Sequence, residues 1–311
     1  VGRFDFFSQT WEQAEAEQRA FVSSPAAQRP DARVITVLLS AALVLSFQYY
    51  ALGWIQWVWL LDQIAWFWPG GGEELRGFLL SGENASLTQM SYWALGAAVL
   101  YAAVPLLLIK VVLRENVSDY GLRLQGALSG WWIYLLMYLA ILPAVLWASR
   151  SPAFQEQYPF YRPPLGQPLW PRFWIWQACY ALQFVALEFF FRGYMLHGLR
   201  RRFGGYAILV MMVPYCMIHF GKPLRETLGA IGAGLILGFM SLKTRSIWLG
   251  AALHIAVALT MDFASLAQQS QPVATGKVSV QRMVDLTAED RREQETPDSK
   301  RRVSPPTPRD D

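Results

Sequence analysis

The sequence predicts an all-α fold, a polytopic membrane helix bundle of about seven (six to eight) transmembrane helices. Three observations carry this. The 311 residues are 54% hydrophobic, 16% charged and include 14 tryptophans, where a soluble domain averages about 45–50% apolar and about 25% charged. The excess is local, concentrated in runs near the roughly 20 helical residues that cross a hydrocarbon core. The runs also lack the period-two alternation of barrel strands, so helices are the spanning solution that remains.

Along the chain, residues 1–33 are polar, without the apolar stretch of a cleavable signal peptide. Within them 6–21 reads as an amphipathic helix carrying Trp11 and Phe21, lying on the membrane surface or solvated. The transmembrane domain is expected over 34–267, in apolar runs at 34–61, 91–113, 130–149, 173–196, 206–220, 228–242 and 247–266. Gly229, Gly232 and Gly234 suit close packing between membrane helices. Residues 62–87 read as an acidic loop and 151–172 as a proline- and aromatic-rich interfacial loop. The polar, charged segment 268–311 reads as a disordered tail.

The net charge of +4 does not indicate nucleic acid, because the basic residues sit in short loops such as Arg200-Arg201-Arg202 and Lys243-Thr-Arg245. There they act as topology signals. About twelve Lys/Arg in the N-terminal segment and alternate loops, against about six in the others, favour a cytoplasmic N-terminus. The expected location is a multi-pass position in the cytoplasmic or inner membrane. Cys179 and Cys216 fall inside apolar runs, as core thiols do.

Ionisable residues deep in apolar runs are costly and mark function. Glu188 and Arg192 stand four apart on one helix face, either a structural ion pair or part of a site. Tyr215 and His219 share the same spacing on the next run, and His254 lies inside the last. An imidazole titrates near neutrality and a carboxylate in apolar surroundings approaches a general base's range, so the set on three runs points to proton-transfer chemistry. His197, next to the arginine cluster, reads as interfacial. A zinc site would draw on the same Glu and His residues, but the helical His patterns of zinc peptidases are absent, so no metal and no cofactor are expected.

These residues resemble the CPBP family of CAAX prenyl proteases and bacteriocin-processing enzymes. Its three motifs read here as Leu187-Glu188-Phe-Phe-Phe-Arg192, Tyr215-x-x-x-His219 and His254-x-x-x-Ala258. Gly234-Leu-Ile-Leu-Gly238 and Leu242-Lys-Thr-Arg-Ser-Ile-Trp248 resemble the family's connecting text, and Asp119-Tyr-Gly-Leu-Arg123 its short interfacial element, for a core at 118–267. The resemblance implies a glutamate-dependent intramembrane endopeptidase acting on a membrane-associated peptide or protein within the lipid bilayer. Glu188 and His219 would activate water, His254 would bind the oxyanion, Arg192 would orient Glu188, and Tyr215 would shape the pocket. Leu187 stands where the family has a first glutamate, and Ala258 where it has asparagine. Glu226 is a further carboxylate just after His219. The alternative these departures raise is a catalytically inactive pseudoprotease that binds or scaffolds membrane proteins. A transporter is the third reading, without an internal repeat to support it.

Overall fold

A computed structural model describes residues 5–163 and 168–269, so the expected tail lies outside the described residues from 270 onward. The helices are α1 (Asp5–Val22), α2 (Ala32–Ala51), α3 (Trp54–Phe67), α4 (Gly71–Leu80), α5 (Gly82–Ala98), α6 (Trp131–Ala148), α7 (Pro152–Gln157), α8 (Arg172–Glu188), α9 (Leu196–Phe203), α10 (Ala207–Met217), α11 (Leu224–Thr244) and α12 (Trp248–Gln269). Helix α5 continues through π-helical turns at Val99–Ala103 and Leu108–Leu113, and α8 runs into α9 through another at Phe189–Met195. The described residues contain no strand, only an isolated bridge from Leu122 to Ser246.

Six helical stretches among the described residues are long and apolar enough to cross a membrane. One of them, Arg172–Met217, has 46 residues, or ~70 Å of helix at 1.5 Å per residue, more than twice a hydrocarbon core. It is broken by the 3-10 turn Gly204–Tyr206, where Gly204 takes φ 57, and so contains both the fourth and fifth expected runs. The chain is a multi-pass membrane protein.

Three expectations are corrected. The run 34–61 ends early: α2 stops at Ala51, and α3 begins a separate helix after Gly53. The acidic loop 62–87 is largely helical, formed by the end of α3, by α4 and by the start of α5. Trp66, Phe67 and Trp68 are exposed at its α3–α4 corner, the placement of aromatic residues at a membrane boundary. The segment 151–172 contains the short helix α7.

Helix α1 packs on protein. Trp11 meets Tyr206 edge-on at 5.3 Å, Phe21 is buried under the Arg201 guanidinium, and Glu17 pairs with both Arg200 and Arg245 at 2.7 Å. The basic loops therefore hold an N-terminal helix as well as biasing topology.

The motif-bearing stretch Arg172–Met217 is the most enclosed of the six, with 56% of its apolar segment buried against 11% for α6. Phe190 stacks on Tyr101 of the α5 extension at 5.0 Å, and Phe191 meets Tyr215 edge-on at 5.3 Å. Between helices already surrounded by lipid such van der Waals contact, with polar bonds, does the holding. Ser40 of α2 bonds Tyr194 at 2.8 Å, and Tyr138 of α6 bonds Thr260 of α12 at 2.7 Å. Of the four glycines in α11, Gly234 packs closely on Met212 and Tyr215 and Gly238 on Ile208 and Met211, whereas Gly229 and Gly232 face open space.

Candidate functional site

The π-helical turn begins at the residue after Glu188 and contains Arg192. Such turns are rare and recur at functional sites. This one is locked from two sides: Ser241 of α11 donates to the Arg192 carbonyl at 3.0 Å, and Gly193 lies against the Tyr120 backbone, where a Cβ would come within 2.6 Å of the Tyr120 carbonyl oxygen. The interfacial segment containing Tyr120 and Gly121 is held in turn by the Ile247 amide, which donates to the Gly121 carbonyl at 3.0 Å.

Glu188 and Arg192 are 1% and 0% exposed. Glu188 Oε1 stands 3.0 Å from Arg192 Nη1 and 2.9 Å from His254 Nδ1. Neither contact has hydrogen-bond alignment, so the Arg192 contact is an ion pair held chiefly by charge. On the carboxylate's other side is Gly250, where a Cβ would stand 2.6 Å from Glu188 Oε2. The Arg192 guanidinium also lies 3.8 Å from the centre of the Tyr215 ring, a cation–π contact.

The hydrogen bonds define which nitrogen of each histidine carries the proton. A lone pair facing the Glu188 carboxylate would be repelled, so His254 Nδ1 is protonated. In the neutral ring Nε2 is then an acceptor, and the Tyr215 hydroxyl donates to it at 3.1 Å. His219 Nδ1 faces the Tyr215 carbonyl at 2.9 Å and must donate, which leaves its Nε2 as a lone pair. Both rings lie against Tyr215, with centroids at 5.0 Å for His219 and 6.4 Å for His254. Phe184 stacks on His254 at 5.4 Å.

Glu188, Arg192, Tyr215 and His254 thus form one contact network, and His219 joins it through Tyr215. On the far side of His219, Lys222 pairs with Glu226 at 2.6 Å, and the Tyr158 phenol donates to both Glu226 oxygens at 2.9 and 3.0 Å. Burial, then the Glu226 charge, pushes the Tyr158 hydroxyl well above the usual tyrosine range, which keeps it a donor. Leu187 and Ala258 are both closed into apolar packing.

Two placements differ from the reading of the sequence. His197 is buried at 2%, with Nε2 3.1 Å from Ser241 Oγ, although its neighbours are interfacial. Asp262 is a further acid within an apolar run: it is fully buried, eight residues past His254, and accepts from Gln177 Nε2 at 2.5 Å. The rule that selects Glu188, an acid inside an apolar run, also selects Asp262.

Residues 168–260 match a family model described as Type II CAAX prenyl endopeptidase Rce1-like. The matched stretch contains all three motifs. No curated protein and no solved structure matches the chain.

Proposed function

We propose that the protein is a glutamate-dependent intramembrane endopeptidase that hydrolyses a peptide bond in a membrane-associated substrate. The observation that carries this is the Glu188–His254–Tyr215 network meeting His219 across three helices. It lies within the stretch matched to the CAAX endopeptidase model.

His219 Nε2 is the basic atom left over by its hydrogen bonding. It takes a proton from water as the water oxygen attacks the carbonyl carbon, and it returns that proton to the leaving amine when the C–N bond breaks. Glu188 is enclosed between Arg192 and His254, so its part is to hold the His254 ring, and through it Tyr215, in place. The Tyr215 hydroxyl turns its proton from His254 Nε2 toward the developing oxyanion. One such donor is worth about 3–4 kcal/mol of barrier.

The test is turnover of a prenylated CAAX peptide and a panel of transmembrane peptides by reconstituted protein. Glu188→Ala, His219→Ala and His254→Ala should each lose at least about a hundredfold, with folding of each variant checked by thermal unfolding. Turnover retained in all three folded variants refutes the reading. A scaffold that binds membrane segments without cutting them draws on Leu187 and Ala258, which put apolar groups where the family has glutamate and asparagine. That second reading predicts an inert wild type that gains activity in Leu187→Glu with Ala258→Asn.

A further inference from the structure

On the membrane side where α1 docks, a cavity of about 440 Å³ lies between α2, the end of the α5 extension and α9. It shares Arg33, Arg200 and Arg201 as lining with a second cavity of about 370 Å³ under α1. These are sizes at which small-molecule sites occur. The lining is basic. Of its two lining acids, Glu115 is engaged by Arg33 and by the Tyr120 hydroxyl and Asp119 by Arg123, and Arg200 is engaged by Glu17. Arg114 and Arg201 make no ion pair among the described residues. Arg114 also holds a left-handed backbone, φ 57, at a helix end that ordinarily selects glycine.

A separate observation comes from the inner wall, where His197 is 2% exposed and Nδ1 has no partner. The Ser241 hydroxyl has one proton and gives it to the Arg192 carbonyl, so at His197 Nε2 it can only accept. Nε2 therefore carries the ring proton, and Nδ1 of the neutral ring is a buried acceptor needing a donor. Guanidinium groups match phosphate oxygens in charge and fork geometry. Exposed apolar residues run away from the cavity on both flanking helices, Leu39 and Leu43 on α2 and Leu107 and Val111 before Arg114. An acyl chain attached to a group in the cavity would lie along them.

We infer that this cavity binds a phosphate ester that also carries a hydroxyl, with Arg114 and Arg201 on the phosphate and His197 Nδ1 accepting from the hydroxyl. The glycerol phosphodiester of an anionic membrane lipid has this chemistry, and so has a soluble phosphate with a P–OH. None of the three residues belongs to the Glu188–His219–His254 network, so the inference is independent of the proposed proteolysis.

The experiment is thermal unfolding of the full chain in zwitterionic detergent, titrated with four probes: phosphatidylglycerol, phosphatidylmethanol, phosphatidylcholine and inorganic phosphate. Phosphatidylglycerol should raise the midpoint saturably and at lower concentration than phosphatidylmethanol, which keeps the charge but lacks the hydroxyls. Phosphatidylcholine should not. Arg114→Ala with Arg201→Ala, both at exposed positions, should weaken phosphatidylglycerol at least about tenfold. His197→Phe should remove the preference over phosphatidylmethanol. A shift from inorganic phosphate alone, lost in the arginine variant, supports the site and assigns it a soluble ligand. The inference is overturned if phosphatidylcholine stabilises equally, if wild type neither prefers phosphatidylglycerol over phosphatidylmethanol nor responds to inorganic phosphate, or if the arginine variant keeps the full shift.

Discussion

At the scale of single residues, the site is governed by one buried charge. Glu188 is 1% exposed and meets two cationic or protonated partners. Removing one member of a buried pair strands the other, at a cost of about 3–5 kcal/mol, whereas replacing both with apolar groups is often neutral. Glu188→Gln should therefore destabilise strongly, and adding Arg192→Met should restore part of the loss in thermal unfolding. A double variant no more stable than the single one would mean that Arg192 is not stranded. Gly250 supplies a second prediction. A Cβ there meets Glu188 Oε2 at 2.6 Å, and Arg192 and His254 leave that carboxylate little room to retreat. Gly250→Ala should cost about 1–3 kcal/mol and most of the turnover. Gly229→Ala, in open space on α11, should leave both unchanged. Glu188, His219 and His254 are legible from sequence because charge and imidazole stand out in hydrocarbon. The role of Gly250 is not, since nothing in its neighbours along the chain marks it.

At the scale of elements, the interfacial segment 119–123 and the motif helix are joined by backbone contact. Gly193 permits the approach, and a methyl group there would press on the Tyr120 carbonyl oxygen at 2.6 Å. Gly193→Ala should lower the unfolding midpoint and reduce turnover together, because one side of the π-helical turn loses its seat. Unchanged stability would refute that coupling. Helix α1 behaves differently. Its Glu17 bridges Arg200 and Arg245 but is 39% exposed, and exposed pairs are worth about 0–1 kcal/mol each. Glu17→Ala should leave the unfolding midpoint nearly unchanged while speeding proteolytic cleavage within 23–31, the sign of a loosened α1. The amphipathic period of α1 is visible in the sequence; its partner is not, because the same stripe of Trp11 and Phe21 would serve a lipid surface or a protein groove.

At the scale of the whole molecule, alternate loops carry the basic excess. Arg33, Arg123, Arg200–Arg202 and Arg245 fall at one set of helix ends, and Arg76, Arg150, Lys222 and Arg225 at the other. Single cysteines at Arg123 and Arg225, in a background without Cys179 and Cys216, should react with a membrane-impermeant reagent from opposite sides of sealed vesicles. Labelling from the same side would remove the crossing pattern on which the orientation rests.

The sequence by itself determined the class of the molecule, the apolar runs and the three motifs. Hydrocarbon imposes these on a single stretch of chain: about 20 apolar residues per crossing, and a visible exception wherever a charge is retained. Tertiary structure decided the rest. The run 34–61 breaks at Gly53 and the stretch 172–217 doubles back at Gly204, because these depend on what packs beside the helix. The π-helical turn after Glu188 is held by Ser241 and Tyr120, respectively 53 and 68 residues away. Which histidine keeps a free lone pair follows from the Tyr215 carbonyl and hydroxyl, and Glu188 is enclosed because α12 brings His254 and Gly250 against it. Proton positions and burial are properties of neighbours in space, and the linear order of residues does not contain them.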